Sequence, residues 1–135
     1  MRWAAVIGAI SKVAAADPAL VAIYGTAIRM NAGAQDYQMP GLEYQIIADS
    51  ATELWEPVII QWDQFTESLE DLVDSERALR KLFDHAFPVT MYGVYMWSEF
   101  EEGSELQSPS RENVFSRTVR FRYTPIRGDL RPGRT

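Results

Sequence analysis

The sequence predicts an α+β domain, a two-layer sandwich in which helices pack on one face of a largely antiparallel sheet of four to five strands. Three observations predict it. The elements read in the order α, α, β, β, β, α, β, β without an internal repeat. Residues 69–83 repeat their apolar side chains at helical spacing. The late segment VFSRTVRFRY alternates apolar and polar residues with period two. At 135 residues, 47% of them hydrophobic, the chain suits one core and is too short for two. The expected division is one domain over residues 1–126 and a flexible basic tail, rich in Pro and Gly, over 127–135.

Each element has a local cause. Trp3, Val6, Ile7, Ile10, Val13 and Ala14 make the buried stripe of an amphipathic first helix. The same stretch, MRWAAVIGAISKVAAADPAL, has the charged start and small residues of a secretory leader, but Lys12 interrupts its apolar run. No stretch reaches the roughly twenty apolar residues that a membrane span needs. Asp17 before Pro18 gives an N-cap and a first-turn proline, so DPALVAIYG reads as a second helix ended by Gly25. TAIRM is a short strand, and residues 31–41, with two glycines and Pro40, are a loop. LEYQIIAD and PVIIQWDQF form a hairpin across the polar residues 50–56.

Leu69, Leu72, Val73, Leu79, Leu82 and Phe83 mark the core face of the third helix. Its start is acidic and its end basic, as the helix dipole favours, and Pro88 stops it. VTMYGVYMWSEF then reads as one long strand with two apolar faces: Val89, Met91, Tyr95 and Trp97 on one, Tyr92, Val94, Met96 and Phe100 on the other. In the last strand Phe115, Val119, Phe121 and Tyr123 oppose Ser116, Thr118, Arg120 and Arg122. Helices on one side cannot cover both faces of the 89–100 strand. Either loops bury its second face, or Tyr92, Tyr95, Met96 and Trp97 belong to a protein interface.

The formal charge of −6 hides an asymmetry. Residues 1–110 hold 17 acids against 6 Lys and Arg, and residues 111–135 hold 2 against 7. Arg120, Arg122, Arg127, Arg131 and Arg134 interleave with Phe121 and Tyr123, a pattern that suits phosphate contact and base stacking, so a small nucleic-acid-binding module is an alternative. The acidic body would repel a polyanion. The chain has no cysteine, which excludes disulfides and thiolate metal sites. Its single histidine, His85, follows Asp84 at a helix end, where a cation is favoured for electrostatic reasons alone. Glu99, Glu101, Glu102 and Glu105 lack the spacing of a calcium loop. With no phosphate cradle and no nucleophile elbow either, the sequence predicts neither enzyme nor cofactor.

The element order, with ADPALVAIYGTAI, EPVIIQWDQFTESLEDLVDSERALRKLF and the final RTVRFRY, resembles the tail terminator, or tail completion (minor tail), proteins of long-tailed bacteriophages. The likeness spans about residues 5 to 126 and contains no catalytic motif. It implies a structural subunit that assembles as a ring, usually a homohexamer, on the tail tube. Such a ring ends tube elongation and presents a joining surface to the head-tail connector or neck. It implies no cofactor, a place in the virion tail or neck, and host cytoplasm during assembly. DNA would pass the bore without sequence-specific binding. A head-side neck adaptor is the alternative within the virion. In a head-to-tail ring, Arg117, Arg120 and Arg122 would answer acids of a neighbour, with Glu70, Asp71, Asp74, Glu99, Glu101, Glu102 and Glu105 as candidate partners or bore lining.

Overall fold

The computed structural model describes residues 2–30, 40–48, 57–104 and 114–126. Most of the expected 31–41 loop, the polar connection 50–56, Glu105, the acidic connection after it, the basic tail 127–135 and the side chain of Trp3 lie outside the described residues. Helix α1 spans Arg2–Ala16 and α2 spans Pro18–Tyr24. The boundaries of α2 are those the sequence encodes: the Asp17 carboxylate accepts the Leu20 amide at 3.0 Å where the chain leaves α1, and Gly25 takes a positive φ of 60° at the far end. Val6, Ile7, Ile10 and Ala14 of α1 are buried.

Among the described residues six strands follow: β1 Ile28–Met30, β2 Gly41–Ala48, β3 Val58–Thr66, β4 Val89–Met91, β5 Val94–Gly103 and β6 Phe115–Pro125. Helix α3, Leu69–Phe83, stands between β3 and β4. The sheet order is β1-β2-β3-β6-β5-β4. Every neighbouring pair is antiparallel except β1 and β2, which run parallel. This is the expected α+β arrangement with one or two more strands than the sequence predicts. The extra strand comes from the 89–100 segment, which folds back on itself at Tyr92-Gly93. Both turn residues have positive φ, 47° and 82°, as a two-residue hairpin of right-handed twist requires. The fold-back also corrects the two-faced reading, because Val89 lies opposite Met96 and Met91 opposite Val94. All four then share the core face, while Thr90, Tyr95 and Trp97 point the other way.

Helix α3 begins at Ser68, whose hydroxyl accepts the Asp71 amide at 3.1 Å. Its buried stripe is Leu72, Ser75, Ala78, Leu79 and Phe83. Leu69 and Val73, expected in the core, are each 47% exposed. The small residues Ser75 and Ala78 bring the helix close to the sheet along their own line, and that rotation carries Leu69 and Val73 to the flank. Phe83 is the centre of the core: its ring stacks on Trp62 at 5.5 Å and meets the edges of Tyr123 at 5.4 Å and Phe121 at 6.0 Å.

Two buried polar pairings run through this core. The Trp62 indole N–H donates to the Tyr123 hydroxyl at 3.0 Å. The Tyr24 hydroxyl donates to Ser75 Oγ at 2.6 Å, and Ser75 donates to Gln64 Oε1 at 2.7 Å, which ties α2 to α3 and α3 to β3. Burial pushes both tyrosine hydroxyls above the usual tyrosine pKa; for Tyr24 the Ser75 bond partly offsets this and the Asp71 charge adds to it. Above the usual value the folded chain keeps protons that the unfolded chain releases. Stability is therefore fully present below about pH 10 and falls above it, by up to about 1.4 kcal/mol per pH unit for each tyrosine. Urea midpoints measured on either side of about pH 10 check this, and Tyr24→Phe should make the decline shallower.

Candidate functional site

Among the described residues the helices pack on one face of the sheet, and period-two alternation places on the other the side chains that the core rejects. From one end to the other these are Arg29 on β1, Glu43 and Gln45 on β2, Gln61 and Asp63 on β3, Thr118, Arg120 and Arg122 on β6, and Tyr95, Trp97 and Glu99 on β5. They form a cross-strand ladder. Arg29 meets Glu43 at 3.2 Å. Asp63 accepts from Gln61 at 2.9 Å, and from Gln45 and Thr118 at 3.0 Å each. Arg120 donates to Gln61 at 3.0 Å and lies 3.6 Å from Glu102; Arg122 lies 2.6 Å from Glu101.

Arg120 and Arg122 thus already meet two of the acids expected across a subunit boundary, Glu102 and Glu101, within one chain. A bulge in β5 between Phe100 and Glu102 makes this possible, since it inserts Glu101 beside Arg122 while keeping Glu102 opposite Arg120. Both pairs are partly exposed, so solvent screens them. Arg120→Ala should cost about 1 kcal/mol or less in a urea melt, and a larger loss would show that the ladder holds the sheet together.

Arg117 belongs elsewhere. It shares the parity of Val119 and Phe121, faces the helix layer, and pairs with Glu76 of α3 at 3.0 Å, while the other oxygen of Glu76 holds Arg80, also at 3.0 Å. The Arg80 guanidinium rests 3.7 Å from the centroid of the Phe100 ring. A Cβ on Gly103 would come within 2.8 Å of the Arg117 guanidinium, so this glycine makes its room. Glu76 is not among the residues the sequence singles out; its i,i+4 spacing to Arg80 is the only local signal. Glu70, Asp71 and Asp74 sit on α3, on the opposite layer from Arg120 and Arg122, and Asp74 pairs with Arg77 at 3.4 Å.

Of the four candidate interface residues on the 89–100 segment, Met96 is fully buried and belongs to the core, because the hairpin turns it toward the helices. Tyr95 is half-buried. Tyr92 at the turn and Trp97 on β5 are exposed, 58% and 43%. His85 approaches the Leu82 carbonyl oxygen at 2.5 Å, while Asp84 accepts the Phe100 amide at 3.1 Å, so the two side chains serve separate structural contacts. Among the described residues no group of three His, Asp or Glu could hold a metal ion, and no single helix is long and apolar enough to cross a membrane. Two surface grooves flank α3: one of about 360 Å³ lined by Val73, Glu76, Arg77, Arg80 and Arg117, and one of about 450 Å³ between α2 and α3.

No protein-family model matches the chain, and no curated protein matches it. Among solved structures, it is similar to a chain from the virion of a native gene transfer agent particle. The similarity covers 90% of this chain and 97% of that one, with a TM-score of 0.58 and 17% sequence identity. At that identity the likeness is one of fold.

Proposed function

We propose that this chain is a structural, non-enzymatic virion subunit that assembles as a ring on the end of a phage-type tail tube. The ring, a hexamer by the sequence resemblance, ends tube growth and offers the surface on which the head connector or neck is joined. The observation that carries this reading is the fold shared with a virion chain over nearly the whole length of both. The sequence resemblance to tail terminators points to the same kind of particle. Its working partners are further copies of itself, the tube protein and a connector protein, with DNA passing through an acid-lined bore. Its place is the virion tail or neck, reached from the host cytoplasm.

Within this reading the contact between copies rests on the exposed aromatics Tyr92 and Trp97. Arg120 and Arg122 already have acidic neighbours in the chain, which weighs against both an intersubunit role and a nucleic-acid groove.

Light scattering at low and high protein concentration, followed by negative-stain imaging, tests the proposal. Concentrated protein, alone or with purified tail tubes, should give ring-shaped particles or capped tube ends and should not retard oligonucleotides at moderate salt. A chain that stays monomeric, leaves tubes uncapped and retards oligonucleotides would sink it.

A further inference from the structure

In the sheet layer the exposed large apolar side chains avoid the central strands β3 and β6. They collect at the two ends: Phe87, Tyr92 and Trp97 around β4 at one, Met30 and Ile47 on β1 and β2 at the other. Phe87, just before β4, is 77% exposed. Tyr92 is also costly to place. The turn needs a left-handed backbone that asparagine or glycine adopts readily and a bulky side chain adopts at a steric cost. The ring is nonetheless 58% exposed, with the Lys12 ammonium 5.7 Å from its centroid. A residue that breaks a local rule and leaves most of its ring in solvent points to a role outside the fold.

The backbone at this end is partly sealed. Where β4 stops, the His85 amide donates to the Ser98 carbonyl at 3.0 Å and Asp84 takes the Phe100 amide, so the β5 edge beyond Trp97 is closed to strand addition. That leaves the short outer edge of β4, with an aromatic at each end. Strand directions supply the second constraint. Because β1 and β2 are parallel and all other pairs antiparallel, β1 and β4, the two end strands among the described residues, run in the same direction. Rotation about an axis roughly along the strands therefore sets β4 of one copy beside β1 of the next in a parallel sense. The two surfaces differ, so the contact is heterologous and can close into a ring.

We infer that the β4 edge, with Phe87, Tyr92 and Trp97, docks on the β1–β2 edge, with Met30 and Ile47, of a second copy of this chain. The inference deepens the ring reading above and rests on it. The absence of cysteine gives a clean test. Thr90 and Met30 are exposed on the two outer strands, so Thr90→Cys and Met30→Cys replace no buried residue. With a long, flexible bismaleimide at high concentration, able to bridge thiols that strand parity places on opposite faces of the joined sheet, an equimolar mixture of the two variants should give about tenfold more cross-linked dimer than either alone, because a heterologous contact brings unlike edges together. One chain carrying both cysteines should give a ladder of multimers that ends at a closed species. Equal cross-linking by Thr90→Cys or Met30→Cys alone overturns the inference in favour of a two-fold contact. Failure of every pairing to cross-link also overturns it; if rings are still imaged, the ring reading survives and another surface closes them. Ladders that never close would keep the edge contact and remove the ring.

Discussion

Tyr92→Asn combined with Trp97→Thr is expected to leave a folded chain that no longer assembles. Asparagine is at home in the left-handed conformation that Tyr92 adopts at φ 47°, so the hairpin should be as stable as before or more so. Threonine keeps the β preference at the exposed Trp97 position. Neither change touches the buried face formed by Val89, Met91, Val94 and Met96. Binding energy in protein contacts concentrates in a few aromatics, each contributing about 2 kcal/mol or more, and a ring repeats the loss at every boundary. Thermal melts alongside sizing and negative-stain imaging read both effects. Rings that persist in the double variant would show that these aromatics are bystanders; a collapse in melting temperature would place them in the core.

Phe83→Ala should have the largest effect on the monomer, a loss of about 3–5 kcal/mol in unfolding free energy. The ring is fully buried and touches Trp62, Phe121 and Tyr123 together, so its removal leaves a cavity where α3 meets β3 and β6. Those neighbours are held by strand pairing and by the Trp62–Tyr123 hydrogen bond, which limits how far they can close the gap. Urea melts should show a lower midpoint at unchanged slope. Leu69→Ala and Val73→Ala, on the exposed flank of the same helix, should stay within about 0.5 kcal/mol of the parent. Similar losses at all three positions would mean that α3 sits on the sheet in a different rotation.

Features set by neighbours along the chain are legible in the sequence by itself. The α2 boundaries follow from Asp17, Pro18 and Gly25, each of which acts on backbone within four residues of itself. The buried stripe of α1 and the alternation of β6 are periodicities, and these report which face a chain segment must bury whatever it is buried against. Such signals also determine the layer architecture, because a half-apolar sheet and amphipathic helices have few ways to cover each other.

Tertiary structure decides the rest. The turn at Tyr92-Gly93 carries no strong hairpin signature, so only the pairing of Val89 with Met96 and Met91 with Val94 reveals two strands where the sequence predicts one, and with them the burial of Met96. The rotation of α3 depends on how closely Ser75 and Ala78 approach the sheet, and on the hydrogen bonds that Ser75 makes to Gln64 and Tyr24, 11 and 51 residues away. The three arginines of β6 look alike in sequence, yet strand parity and the β5 bulge send Arg117 to Glu76 in the helix layer and Arg120 and Arg122 to acids on the open face. A charged side chain's partner is fixed by which strands lie side by side, and that order depends on the packing of the whole chain.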